Sequence, residues 1–542
     1  MDIHSHRSLS LLQFMSDQGL IPAPEEDLKR EIIVNQLKAI VLKWIKRIAW
    51  QRRLPVDVIN AASATILPYG SYGLGVHSSE SDIDALCVGP CCASCAEDFF
   101  VVLCNMLKNT PGVLDVHSVK DAKVPLMRFK FEGISVDLPY AQLQFTSVLK
   151  NVDLLDPVSL IGIDDNSRKS LSRVRVNQSI LQLVPNLQNF QSLLRCIKFW
   201  AKRRGVHGNL FGYLGGIHLA ILAAFICLKN PDAGLSVLVM SFFDAFANWP
   251  WPIPVALQDE MMTFKEDTND KMSCMPIRLP CSPYEFCHSN ITRGTFNRIR
   301  IEFLRGHNIT SDLLRPDFDW GSLFEPSDYR KRYSWFLKIY LSAWEKDDLG
   351  DWIGWVKSRF PRLILKGTDG PGPEEGIRSL GSNLGFGLQT IWQYGCHLLS
   401  FNCLLCTSFH YRIYAPEACL TFVYFYLQLE EVRRSCDPNP TEYVEIGSSE
   451  AEPSVVFCWG LHPSRAQFNI ALVEEDFRNQ LNGGPTGKIR LAVVQASEFP
   501  STTHFPTGKF KGTKACWRTA DYDQRATPSQ HLPNHLIGYA FI

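Results

Sequence analysis

Apolar residues recur at three- and four-residue steps over residues 31–50. Ile33, Leu37, Ile40, Trp44 and Ile48 mark one face of an amphipathic helix, and Lys38, Lys43, Lys46 and Arg47 fill the others. A Gly/Ser-rich turn region at 68–81 leads into SDIDALCVG, which alternates as a strand does. Residues 96–108 read as helix, and 124–140 as a hairpin turning at Glu132-Gly133. Two stretches, 177–204 and 209–230, are helical by period with many buried positions, and Pro250, Pro252 and Pro254 then break the pattern. From 333 the pattern changes again. WFLKIYLSA alternates like a strand, and DDLGDWIGWVKSRF predicts a helix with Asp347 or Asp348 as N-cap. SVVFCWGL and KIRLAVVQA are strand-like with EEDFRNQL as a short helix between them, which together indicate a small α/β domain toward the C-terminal side.

One segment departs from its surroundings. Residues 367–428 hold six charged residues in 62, about half the chain-wide density of 20%, and 379–411 hold none. Gln393, His397 and Asn402 make it a poor membrane span. Joining its flanks would run RLILK into LEEVRR as one strand-like stretch. The segment is therefore expected to be an insertion through a strand of the third domain, one that need not belong to the natural transcript.

Composition narrows the class. With 46% hydrophobic residues in 542, the chain is that of a folded multidomain protein. The 55 Lys and Arg balance 55 Asp and Glu, so any nucleic-acid site is a local basic patch and not bulk charge. Seventeen cysteines are too sparse for a disulfide scaffold, and MDIHSHRSLSLLQF leads into no apolar signal segment, so a reducing interior is expected. Cys92/Cys95 and Cys403/Cys406 have CxxC spacing without a second pair, and read as ordinary packed or loop thiols.

The chemistry-bearing pattern is Gly70-Ser71, then Asp82-Ile83-Asp84, then Asp137. Aspartates two apart on a strand point to one face. Their mutual repulsion is relieved by hard divalent cations, which prefer carboxylate oxygen. Asp137 supplies a third carboxylate from a neighbouring strand, opposite the face of Ile134, Val136 and Leu138. Glycine lets backbone approach a phosphate, and a serine hydroxyl can bind its oxygen. A lone DxD is equally a solvated strand end; the three parts in this order and spacing are far more specific.

That order is the pattern of polymerase-beta-like nucleotidyltransferases. PYGSYGLGVHSSESDIDALCVGP, ILQLVPNLQNFQSLLRCIKFWAKRRGVHGNLFGYLGGIHLAIL, FANWPWPIPV, MPIRLPCSPYEFCHSNIT and DWGSLFEP together resemble the eukaryotic poly(A) polymerases, in the shorter plant-type form without a long basic tail. The likeness runs from about 15 to 366 and resumes weakly at 429–510. It implies an α+β architecture: a nucleotidyltransferase palm at 15–189, a helical central domain at 190–332, an RRM-like RNA-binding domain at 333–510 interrupted by 367–428, and a tail at 511–542. It further implies that Asp82, Asp84 and Asp137 are the catalytic and metal-binding residues, holding two Mg²⁺ ions, with Mn²⁺ as the alternative. ATP would be held by Gly70, Ser71, Lys198, His207, Asn209, Gly215, Gly216 and Ile217. The implied activity is template-independent transfer of AMP from ATP to an RNA 3′ end, with pyrophosphate released, by a monomer that works with cleavage and polyadenylation factors, without a membrane, in the nucleus; a cytoplasmic site is the alternative, because no dense basic signal is present.

The sequence also departs from the family. His207 stands where tyrosine is usual, Ser172 where an asparagine near the ribose is usual, Gly73 where arginine is common, and RVNQS at 175–179 replaces a more acidic run. These put nucleotide affinity and choice in question and leave a terminal transferase of altered selectivity, or an RNA-binding pseudo-enzyme, as alternatives. Arg195, Lys198, Lys202, Arg203 and Arg204, and separately Arg298, Arg300 and Arg305, are candidate RNA-phosphate clusters; solvated surface is the competing reading of each.

Overall fold

Pro24 sits where a helix loses nothing by lacking an N–H, and Glu25, Glu26 and Asp27 complement the positive end of the same first turn. The computed structural model describes residues 3–120, 122, 124–258, 273–344, 346–365, 436–439, 442–443, 453–461 and 470–498. Helix α1 (Ile3–Asp17) comes first, and α2 (Pro24–Gln51) follows, starting well before the residue 31 that periodicity alone indicates. After a short α3 (Val56–Ala61) come β1 (Thr65–Pro68), a helical turn α4 (Gly70–Gly73) and β2 (Ile83–Gly89). The stretch read as a helix at 96–108 is wound as a π-helix over Cys95–Leu103 and becomes α-helical only in α5 (Cys104–Lys108).

Strands β3 (Val113–Val119), β4 (Leu126–Phe131) and β5 (Ile134–Gln142) complete a five-stranded sheet of order β1-β2-β5-β4-β3. Only β2 and β5 run parallel; the hairpin turns at Glu132–Gly133, as expected. One face carries Ile83, Ala85, Met127, Phe129, Val136 and Leu138 and is covered by α2 and the π-helix. On the other, Leu86, Val88 and Ala141 meet Leu171 and Val174.

Those two residues belong to α6 (Asp165–Leu183), which is followed by α7 (Leu187–Arg203). The single helix expected over 177–204 is thus two. Pro185 disfavours helical geometry in the residue before it, and the Asn186 side chain caps α7 by accepting from the Asn189 N–H at 3.0 Å. The helix expected over 209–230 also splits, into a 3₁₀ turn at Asn209–Phe211 and α8 (Gly216–Lys229), because Gly212 adopts a left-handed φ of 76° between them. Helices α9 (Leu235–Ala247) and α10 (Arg293–Ser311) pack on these through Trp200, Phe242, Phe243 and Phe303.

A one-turn α11 (Tyr329–Arg332) leads to a second sheet. Its elements are β6 (Trp335–Ser342), α12 (Lys346–Lys357), α13 (Phe360–Leu365), β7 (Cys436–Asp437), β8 (Glu442–Tyr443), β9 (Ser454–Leu461), α14 (Ile470–Gln480) and β10 (Lys488–Gln495). The order is β10-β6-β9-β7, with β8 also on β9. Leu337, Ile339, Phe457 and Trp459 pack on Phe360, Val473 and Phe477 in a core continuous with that of α7–α10. Two expectations need correcting here. Helix α12 begins at Lys346, so Asp347 and Asp348 lie within its first turn and neither is the cap. RLIL is helical in α13 and not strand, with Phe360 and Leu363 buried. The segment 367–428, with Cys403 and Cys406, and the tail 511–542 lie outside the described residues. Among the described residues no helix is long and apolar enough to cross a membrane.

Candidate active site

Strand geometry brings the three aspartates together. Asp82, immediately before β2, and Asp84, on it, flank buried Ile83, so alternation sets them on the opposite face, and Asp137 stands directly across from Asp84 in the parallel β2–β5 register. Asp137 is also opposite Arg128 in the antiparallel β4–β5 register. The Arg128 guanidinium grips it in fork geometry, Nε and Nη2 each donating to one carboxylate oxygen at 2.6 Å.

The turn after β1 closes against the same carboxylates. The Tyr69 N–H donates to the Asp84 carbonyl at 3.0 Å, prolonging the β1–β2 ladder. Gly70 then takes a left-handed φ of 63°, and a Cβ there would overlap the Asp84 carboxylate; both geometry and space require glycine. Side chains from two helices hold this turn. Asn177 of α6 donates to the Gly70 carbonyl at 3.1 Å, Gln191 of α7 to the Leu74 carbonyl at 3.0 Å, and Arg195 to the Gly75 carbonyl. From α2, buried Arg30 donates to the Ser79 carbonyl at 2.8 Å, and Asp27 meets His77 at 2.7 Å.

The electrostatics are those of crowded carboxylates. Burial and the Asp137 charge push Asp82 up to about 6 and Asp84 up to about 7, with Arg128 and Arg30 opposing the shift at Asp82 and Arg173 and Lys198 opposing it at Asp84. Burial, with Lys202 and Arg195 alongside, pushes half-buried Lys198 down to about 8. Among the described residues no three His, Cys, Asp or Glu side chains converge tightly enough to hold a metal as they stand, and Arg128 has hold of Asp137. The donor set itself fits a hard divalent cation: carboxylates on one sheet face, with Asp84 and Asp137 in register, whose burial and mutual repulsion raise the proton affinity of Asp82 and Asp84.

Family models match both halves of this arrangement. Residues 2–184 match the poly(A) polymerase nucleotidyltransferase domain, and residues 189–326 match the poly(A) polymerase central domain. The chain belongs to the poly(A) polymerase family. Nuclear poly(A) polymerase 3 of Arabidopsis thaliana is 46% identical, with 98% of this chain and 94% of that protein covered. Nuclear poly(A) polymerase 1 of the same plant is 40% identical over 66% of this chain and 52% of its own length, and the poly(A) polymerase of Dictyostelium discoideum 38% over 64% and 44%. Among solved structures, a cytoplasmic RNA terminal U-transferase superposes on 60% of this chain and 99% of its own, at 14% identity and a TM-score of 0.43; at that level the likeness says nothing of nucleotide choice.

Against the family pattern, the remaining expected residues fall in mixed surroundings. Burial and the Lys202 and Lys198 charges push His207 well below its usual range, so its ring is neutral near pH 7 and does not switch there. The Asn209 amide is engaged with the 288–290 segment, accepting from the Asn290 N–H at 3.2 Å and donating to the His288 carbonyl at 3.3 Å. Gly215 is the N-cap of α8, its N–H donating to His218 Nδ1 at 2.9 Å, with exposed Gly216 and half-buried Ile217 following. The Ser172 hydroxyl turns back along α6 to the Lys169 carbonyl at 3.0 Å. At Gly73 a Cβ would press on the Pro68 carbonyl at 2.8 Å and on Asn177, so this turn has no room for the arginine common in the family.

Several candidate RNA-binding arginines are internal. Arg204 and Arg298 both pair with Glu302, which is 1% exposed, and Arg305 caps the carbonyls of Ser322 and Leu323. Sequence reasoning missed Arg128, Arg30 and Arg173. Arg128 was within reach: a two-residue turn at Glu132–Gly133 fixes it opposite Asp137.

Proposed function

We propose that this chain adds AMP from ATP to RNA 3′ ends without a template, with Asp82, Asp84 and Asp137 as catalytic residues. The observation that carries this reading is Asp137 in register with Asp84 beside the left-handed Gly70 turn. The RNA 3′ hydroxyl oxygen attacks the α-phosphorus of ATP, its proton passes to solvent water, the bond from the α-phosphorus to the oxygen bridging it to the β-phosphate breaks, and that oxygen leaves with pyrophosphate. Asp82, Asp84 and Asp137 would hold two Mg²⁺ ions, or Mn²⁺ in their place, which supply Lewis acidity to the attacking and departing oxygens.

The chain's own groups do the rest. Gly70 and Ser71 receive the phosphates, their turn fixed by Asn177. Lys198, on the helix facing Asp84, neutralises charge that grows on the departing pyrophosphate. Gly215, Gly216 and Ile217, at the open N-terminus of α8, and His207 and Asn209 before it, form the nucleotide side. The second sheet, with its arginines and lysines, takes the RNA body by phosphate contact and stacking. Action in the nucleus fits the naming of the plant relatives as nuclear; action as a monomer alongside cleavage and polyadenylation factors is what the family resemblance implies.

The test is pyrophosphate release from each NTP separately, with a short RNA primer. One pyrophosphate per nucleotide added, with ATP strongly preferred, is the expected result; release that does not need primer, or that favours UTP, contradicts the proposal.

A further inference from the structure

Arg173 is a cation at the catalytic carboxylates that the proposed reaction has not yet used. It lies on α6 one turn before Asn177, so the two share a helical face. That face meets the phosphate turn: Asn177 bonds the Gly70 carbonyl, and Arg173 reaches the preceding residue, with Nη1 3.5 Å from the Tyr69 hydroxyl and the guanidinium carbon 6.0 Å from the ring centroid. Asp84 feels its charge more strongly than that of Lys198.

The other arginines around the site are each anchored by a carboxylate or by backbone carbonyls. Arg128 holds Asp137, Arg175 donates to the Leu154 and Ser282 carbonyls, Arg195 to Gly75 and Arg30 to the Ser78 and Ser79 carbonyls. Among the described residues no carboxylate pairs with Arg173, and its one hydrogen bond is the long contact to Tyr69. A guanidinium has five N–H donors in a rigid fork suited to phosphate oxygens. Most of those of half-buried Arg173 are unspent beside a turn built for phosphate.

Sheet order says which phosphate. Crossing from β1 to β4, the side chains run from the Gly70 turn, through Asp84 on β2, with Asp82 just before that strand, and Asp137 on β5, to Arg128. Arg173 is at the β1 end, on the Gly70 side, and Asp137 with Arg128 at the other. In an in-line displacement the attacking hydroxyl and the leaving group lie on opposite sides of the α-phosphorus. We propose that Arg173 binds the β- and γ-phosphates of ATP from the leaving-group side, completing with Lys198 a two-helix clamp on the departing pyrophosphate. The assignment rests on the adenylyl-transfer reading of this site.

The experiment is equilibrium binding of non-reactive α,β-methylene-ATP, and of AMP, to the full chain with Mg²⁺ and without RNA, followed by primer kinetics. Loss of a charge-assisted phosphate contact predicts that Arg173→Met weakens the triphosphate analogue about tenfold or more. AMP binding and the KM for primer stay unchanged, and Arg173→Lys recovers part of the loss. Tyr69→Phe, which removes the hydroxyl partner, does not reproduce it. Analogue binding equal to wild type in a folded Arg173→Met chain overturns the assignment. So does an effect confined to primer KM, which would place Arg173 on RNA, or an equal loss in Tyr69→Phe, which would make Arg173 a support for Tyr69. A wild-type chain that extends primers while Arg173→Met binds the analogue normally sinks only Arg173; a wild-type chain that binds no analogue sinks the adenylyl-transfer reading with it.

Discussion

Arg128 and Asp137 form a fork-geometry pair in which the carboxylate side chain is 7% exposed, so removing the cation leaves a buried charge uncompensated. Arg128→Gln is expected to lower the stability of the EDTA-treated protein by on the order of 3 kcal/mol. Saturating Mg²⁺ should recover much of that, because the ion supplies the missing positive charge. Thermal unfolding with and without metal checks this; equal losses in both conditions would contradict it. The raised carboxyls set a pH dependence whose sign can be worked out. Asp82 at about 6 and Asp84 at about 7 exceed their ordinary 3.8, so between about pH 4 and 7 the folded metal-free chain binds more protons than the unfolded one. Its stability therefore falls as pH rises through that window, and divalent ions, which need the ionised forms, counter the fall. The Mg²⁺-induced rise in Tm should be larger at pH 8 than at pH 6; a rise independent of pH would mean these carboxyls do not receive the ion. At this scale the three aspartates were legible from the order and spacing of the motif, with alternation placing Asp82 and Asp84 on one face of their strand and Asp137 on the polar face of its own. Arg173 was not, because a helical period does not reveal which strand a face will meet.

Helix α6 is the element that joins the phosphate turn to the helical region. Its Asn177 bond to the Gly70 carbonyl holds the turn without touching substrate. Asn177→Ala should raise the KM for ATP about fivefold, as loss of a single neutral hydrogen bond does, and leave the KM for primer unchanged; an unchanged ATP KM would mean that the turn holds its shape by itself. Helix α10 instead anchors the core. Glu302 takes Arg204 Nε at 2.7 Å and Arg298 Nη1 at 2.8 Å, so Glu302→Gln strands two buried guanidinium groups and should cost about 3–5 kcal/mol. Near-wild-type thermal unfolding of that variant would contradict this. The strands β2, β6, β9 and β10 could be read nearly to their ends from alternation and β-branched content. The long helices could not, because their breaks rest on single residues, Pro185 with Asn186 in one case and left-handed Gly212 in the other, set inside otherwise continuous apolar periods.

Across the whole molecule, the second sheet is bound to the helical region and not tethered beside it. Phe211 packs on Phe360 with centroids 5.6 Å apart, and the Tyr213 hydroxyl donates to the Pro438 carbonyl at 3.0 Å. In sequence, residues 367–428 fall between α13 and β7, and β7 pairs with β9 at the end of the sheet order; the ladders of β6 with β9 and β10 are built from residues on either side of that stretch. The strand-like run expected from joining the flanks is not seen on the N-terminal side, where RLIL is helical in α13. Deleting 367–428 should accordingly leave a soluble chain that extends primers within a few-fold of the full-length rate. Aggregation of that variant on purification would show that the segment is needed to complete the sheet. The central claim, that Asp82, Asp84 and Asp137 carry out adenylyl transfer, is tested most directly by primer extension. The full chain is given an A-tailed RNA, Mg²⁺ and ATP, beside Asp84→Ala of matched stability. Extension that requires ATP and falls at least about 10³-fold in the variant is the predicted result, since charge stabilisation at the reacting phosphorus supplies several kcal/mol. Equal extension by both chains would place the chemistry elsewhere.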